Sequence, residues 1–200
     1  EGLSAATRAR RLSSIRQLYR FAFDEGWRED NPAIRISGPG RGKRLPKVLD
    51  VAEVERLLAA ARSHGRDRTR NTCLMELLYA TGMRVSELVS LSTAAVRGDP
   101  RMILVRGKGG KERLVPLAPS ARTAVADWLV ERDGAEALAK RKGQPPSKYL
   151  FPSRGTLGHM TRQRFFALVR DLAVVAGLSP KRVTPHVLRH AFATHLLAGG

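Results

Sequence analysis

From Ser37 to Pro46 the chain reads Ser-Gly-Pro-Gly-Arg-Gly-Lys-Arg-Leu-Pro, a basic run rich in glycine and proline and without apolar periodicity. Neither a helix nor a strand can pass through such a run, so the segments on its two sides must fold as separate pieces. The expected boundaries are residues 1–37, a linker over 38–47, and a larger domain over 48–200.

In the first piece Leu12, Ile15, Leu18, Tyr19 and Ala22 recur at helical spacing, with arginines on the other faces. The apolar stripe of this helix requires a partner. Arg8, Arg10, Arg11, Arg16 and Arg20 form either a solvated face or a surface that tracks phosphates, and both readings stay open.

Asp50 followed by Glu53 is a capping box, and it predicts a helix whose buried stripe is Val51, Val54, Leu57, Leu58 and Ala61. A second helix is expected from Asp67 to Ala80, ended by Thr81-Gly82. Met83 to Leu91 reads as a short helix with Arg84 at its start, where Arg84 either meets an anion or pairs with Glu87. Arg101–Val105 and Glu112–Pro116 are strand-like and flank Gly107-Lys108-Gly109-Gly110-Lys111, the tip of a hairpin. The tip is either a polar turn or a lysine-bearing finger whose glycines allow close approach to a groove.

Pro119 to Glu131 predicts a helix with Trp128 and Leu129 inside, and residues 132–147 a loop or short helix. Tyr149–Pro152 is a short apolar run, and His159 lies in a loop. Thr161 caps a helix over 162–176 with Phe165, Phe166, Leu168, Val169 and Leu172 inside. The last helix comes after Thr184-Pro185, a cap and a first-position proline. On it His186, Arg189 and His190 share one face, and Val187, Leu188, Ala191 and Leu196 supply the anchoring surface. The fold expected is mainly α with a small β-hairpin, of the α+β class.

Lys and Arg number 36 against 18 Asp and Glu, a formal charge of +18. Such an excess opposes compaction and points to a polyanionic partner, nucleic acid above all. Membrane attraction is disfavoured, because no apolar run approaches the roughly 18 residues of a spanning helix. The single cysteine, Cys73, lies in an apolar stretch and reads as core packing, which fits a cytoplasmic protein. No Cys/His set has zinc spacing and no acidic cluster suits Mg²⁺, which argues against metal chemistry.

Ala80–Leu88, Gly107–Leu117 and His186–His190, in that order and spacing, resemble the tyrosine site-specific recombinases. Leu45-Pro46-Lys47 and Tyr149-Leu150-Phe151-Pro152 add a likeness to the bacterial Xer type, and the resemblance covers essentially all 200 residues. It implies a recombinase catalytic domain preceded by the last helices of a helical, SAM-like core-binding domain. It also implies that Arg84 and Arg189 grip the scissile phosphate, Lys108 protonates the leaving 5′-oxygen, and His186 takes or shares the nucleophile's proton.

By the same resemblance no cofactor or metal is needed, because the phosphodiester energy is kept in a 3′-phosphotyrosyl bond. The implied partners are a short double-stranded recombination site, a sister recombinase in a tetrameric synapse and a controlling DNA translocase, with chromosome dimer resolution as the task. A phage or transposon integrase, or a DNA-binding module without catalysis, are the alternatives. The family's nucleophilic tyrosine and last active-site His or Trp lie further C-terminal than Gly200. Tyr19, Tyr79 and Tyr149 match structural positions, so these 200 residues by themselves are expected not to cleave.

Overall fold

The computed structural model describes residues 2–40, 48–98, 100–107, 110 and 112–198. The chain separates into two compact units, Glu1–Pro46 and Lys47–Gly200.

The first unit is helix α1, Ala5–Asp24, with a 3₁₀ turn over Pro32–Arg35 after it. Ser4 caps α1 by accepting from the Thr7 N–H at 3.2 Å. Arg16 reaches back to the turn and donates to the carbonyls of Ala33 and Ile36, which closes the unit around buried Ala33. No residue of α1 is buried: Ile15 and Leu18 of its apolar stripe are exposed, as are Phe21, Phe23 and Trp27, the last edge-on to Phe21.

The second unit is built around α3, Arg68–Thr81, which packs against α2 (Val51–Ser63), α4 (Val85–Val89), α5 (Pro119–Arg141) and α7 (Pro185–Ala198). Helix α6, Arg162–Val175, lies against α2 and α4. The centrality of α3 stems from its composition, since Cys73, Leu74, Met75, Leu77 and Leu78 are all buried on several faces. Gly82 ends it in the left-handed conformation, φ 54°, beneath the ring of Phe192.

Strands β1, Met102–Arg106, and β2, Glu112–Pro116, pair antiparallel with Leu104 opposite Leu114. Ile103, Val105 and Val115 turn inward and Met102, Leu104 and Leu114 outward, the period of two that a half-buried hairpin requires. The molecule is thus mainly helical with a small antiparallel sheet. Lys108 and Lys111 of the expected finger lie outside the described residues. No helix among the described residues is long and apolar enough to cross a membrane.

The Asp50–Glu53 capping box forms, Asp50 Oδ1 accepting from the Glu53 N–H at 2.7 Å and Glu53 Oε2 from the Asp50 N–H at 3.1 Å. Three expectations about packing are corrected. Val51 is exposed, because the first residue after the cap points away from the stripe carried by Val54, Leu57, Leu58 and Ala61. Phe166 is 41 % exposed, about 100° round the helix from buried Phe165. Leu196 is exposed, since eight residues beyond buried Leu188 is about 80° off that line.

The region 132–147 is not a loop at its start: α5 continues to Arg141. Its Ala, Glu, Leu and Lys residues are good helix formers, and Arg132, although charged, is buried as an anchor. Arg132 donates to the carbonyls of Tyr149 (3.1 Å) and Ser147 (2.6 Å) and to the carboxylates of Asp133 and Glu136. These bonds tie the far end of α5 to the segment that delivers buried Leu150 and Phe151 to the core.

Candidate phosphate-binding site

Three elements converge here: the start of α4, strand β2, and the first turns of α7. Arg84 sits at the N-cap of α4, held there because Met83 and Leu88 on either side are fully buried. Arg113 lies on β2. Arg189 lies on α7, which Thr184 caps by accepting from the Val187 N–H at 3.2 Å and which Leu188 and Ala191 seat in the core.

Glu87 joins them. Its side chain is 5 % exposed. Oε2 accepts from the backbone N–H of Arg84 at 2.8 Å and from Nη2 of Arg113 at 2.7 Å. Oε1 accepts from Nη1 of Arg84 at 3.0 Å and from Nη1 of Arg113 at 3.2 Å. Burial pushes the Glu87 carboxyl up, but the hydrogen bonds from Arg113 and Arg84 outweigh it and hold the group at about 2. The Arg113 guanidinium is correspondingly raised by its bonds to Glu87.

The two readings of Arg84 are therefore not exclusive: it pairs with Glu87 through one guanidinium nitrogen, yet its side chain remains 55 % exposed.

Arg189 is the site's unpaired cation among the described residues. Its Nη1 is buried and has no hydrogen-bond partner. Burial first, and then the positive charge of Arg84, with Arg113 adding to it and Glu87 opposing, hold the Arg189 guanidinium below its ordinary value. Two guanidiniums thus share one carboxylate, and the third, that of Arg189, has a buried donor without an acceptor. That is a strained cationic pocket whose natural complement is an anion with several oxygens.

His186 and His190 are exposed on α7 beside Arg189 in sequence, and their Nε2 atoms lie 3.0 Å apart with the rings edge to face. Which of the two nitrogens donates depends on the ring tautomers. That contact occupies the Nε2 atoms of both rings, on the same helix as Arg189. His195, one of the three histidines of that stretch, is not part of this face: its Nδ1 meets the Tyr79 hydroxyl of α3 at 3.0 Å.

Of the four residues expected to form the site, the fold brings Arg84 and Arg189 together and places His186 one turn before Arg189, while Lys108 lies outside the described residues. Sequence reading missed Arg113 and saw Glu87 only as a competitor for Arg84. The available signal was the i, i+3 spacing of Arg84 and Glu87; nothing local links either to Arg113. Among the described residues no group of three or more His, Cys, Asp or Glu side chains could hold a metal ion.

The curated relatives include the tyrosine recombinases XerD of Caulobacter vibrioides, 52 % identical over 200 residues, and of Bradyrhizobium diazoefficiens, 51 % identical over 209. Both matches take in the whole of this chain, which spans 64 % and 65 % of the relatives' own lengths.

Among solved structures, that of the XerA recombinase superposes with a TM-score of 0.63 at 30 % identity, over 94 % of this chain and 61 % of the other. The XerH site-specific recombinase, solved bound to a palindromic difH substrate, gives 0.73 at 26 % identity, over 99 % and 56 %. Residues 47–200, which hold every element of the pocket, match the phage integrase family, and the chain belongs to that family, the tyrosine recombinases.

Proposed function

We propose that this chain is the phosphate-gripping part of a site-specific DNA recombinase. The observation that carries the reading is the buried Nη1 of Arg189, unpartnered beside Arg84 in a pocket of excess positive charge. Arg84 and Arg189 hold the non-bridging oxygens of a scissile phosphate and stabilise the extra charge of its pentacoordinate transition state. A tyrosine hydroxyl attacks phosphorus, His186 takes or shares its proton, and the bond to the 5′-oxygen breaks. Lys108 protonates that oxygen. The 3′-phosphotyrosyl bond then stores the energy until the 5′-hydroxyl of a second strand attacks, so no cofactor or metal enters.

Of the three tyrosines here, the Tyr79 hydroxyl meets His195, the Tyr149 ring lies edge-on to His159, and the Tyr19 ring lies beneath Arg28. The natural target is a short double-stranded recombination site, bound with a XerC-like sister recombinase in a tetrameric synapse under control of a DNA translocase. The task is resolution of chromosome dimers at cell division in the cytoplasm, and the named relatives support that choice over an integrase.

The test is a nicked duplex that traps cleavage, offered to the full-length gene product and to this 200-residue chain, with covalent adducts read on a denaturing gel. An adduct with the full-length protein that is lost in Arg189→Lys, at nearly unchanged affinity, is the expected result. An adduct from neither protein leaves a DNA-binding module and overturns the enzymatic reading. Binding should also weaken with salt, log K falling by about 0.9 per phosphate neutralised for each unit of log salt.

A further inference from the structure

Glu87 poses a problem for the proposed chemistry. A buried carboxylate one helical turn from Arg84 should draw that guanidinium into a two-pronged pair, the geometry arginine and carboxylate prefer. An arginine held in that way has its best donors turned from the phosphate. The fold avoids this by presenting a second arginine. Arg113 occupies both carboxylate oxygens with two nitrogens, at 2.7 and 3.2 Å, while Arg84 spends only Nη1, at 3.0 Å, and its backbone N–H. The exposures show the same division: the Arg84 side chain is 55 % exposed and that of Arg113 36 %.

We infer that Arg113 is a positioning residue for strand cleavage: by taking the two-pronged face of Glu87 it limits the hold of that carboxylate on Arg84 and leaves most of the Arg84 guanidinium free for the scissile phosphate. The inference rests on the recombinase reading and assigns Arg113 no contact with DNA. Arg113 acts through charge and direction. It supplies the countercharge that Glu87 needs to stay ionised out of water, and it fixes which edge of the carboxylate is left over. It also ties β2, the strand next after Lys108 in sequence, to the start of α4, so two elements of the pocket share one anchor.

The experiment uses the full-length protein on the trapping duplex, with single-turnover cleavage and DNA affinity measured separately for Arg113→Met, Glu87→Gln and the double variant. Arg113→Met should slow cleavage about tenfold or more while affinity changes less than about threefold, the pattern of an interaction that matters in the transition state. If the role is to occupy Glu87, removing that carboxylate's charge removes the need. The same Arg113→Met change should then cost much less in the Glu87→Gln background. A merely structural arginine would give the same loss in both backgrounds, or a larger one in the second, and either result overturns the inference.

Cleavage by Arg113→Met within about twofold of the parent overturns it as well, and leaves the recombinase reading intact. Absence of any adduct from the parent protein overturns the recombinase reading itself, and this inference with it. Should Arg113→Met fail to fold, Arg113→Lys is read on the same assay, because it keeps a charge but not the fork. It should bind DNA normally and cleave slowly, and parental cleavage by that variant would refute the positioning role.

Discussion

Acidification should loosen the fold through Glu87, and the size of the effect can be worked from its surroundings. In the folded protein this carboxyl sits at about 2 against an ordinary 4.5. A group held lower in the folded state contributes stability that is fully present above 4.5 and is lost as pH falls through about 2. At about 1.4 kcal/mol per pH unit, the contribution at pH 7 is on the order of 3 kcal/mol. By pH 3 about 2 kcal/mol of it should be gone.

The perturbation is Glu87→Gln, which keeps the shape but cannot titrate. The assay is urea unfolding at pH 7 and pH 3 in a Trp27→Phe background, so that Trp128, half-buried and stacked 6.4 Å from Phe151, reports on the unit that holds the site. The other carboxylates titrate in both proteins and cancel in the comparison. The stability gap between parent and Glu87→Gln should therefore narrow by about 2 kcal/mol on going to pH 3. A gap constant to within about 0.5 kcal/mol would show that Arg84 and Arg113 do not hold the carboxylate ionised in the folded state.

Arg132→Met should destabilise the second unit by about 3–5 kcal/mol in the same urea assay, because it strands the Glu136 carboxylate and the carbonyls of Ser147 and Tyr149 without their buried donor. A loss under about 1 kcal/mol would mean that the far end of α5 is not anchored there. Arg189→Met should do the opposite: without DNA it removes a buried unpartnered donor and a like-charge neighbour of Arg84, and should raise stability by about 1 kcal/mol. Thermal melts with and without a duplex check this, since the parent should gain from DNA and the variant far less.

The helices were legible because their signals are local. The Asp50–Glu53 box, the Thr161 and Thr184 caps and the left-handed Gly82 are each decided within four residues, and each forms as its spacing implies. The alternation of β1 and β2 is local too. Which side chains of a helix meet the core is less so, and Val51, Phe166 and Leu196 show why: an apolar residue at the edge of a stripe is buried only if a neighbour covers it. The end of α5 was hidden for another reason. Arg132 reads as a surface residue until carbonyls 15 and 17 positions further on close over it. Within the site, Arg84 and Glu87 are three residues apart and readable as a pair, but Arg113 joins Glu87 across 26 residues, and no periodicity carries that information.

The pocket gathers its charges at the expense of the fold, and that expense is the clearest sign of what it is for. Among the described residues three buried side-chain polar atoms lack a partner, Asn31 Oδ1, Arg70 Nε and Arg189 Nη1, and the last of these belongs to a guanidinium set among the like charges of Arg84 and Arg113. Glu87 relieves part of the repulsion but cannot relieve it all, since the Arg113 guanidinium claims both its oxygens and the Arg84 guanidinium one of them. The residue left unsatisfied is Arg189, on the helix that also carries the His186–His190 pair. On the proposed function, a bound phosphate would remove the defect by accepting at Nη1 and by offsetting the surplus charge. Folding and anion binding are then linked, because whatever binds the native state better than the unfolded one stabilises it by mass action. On the proposed function, the unpartnered Arg189 Nη1 is the atom of this pocket that a DNA phosphate would satisfy.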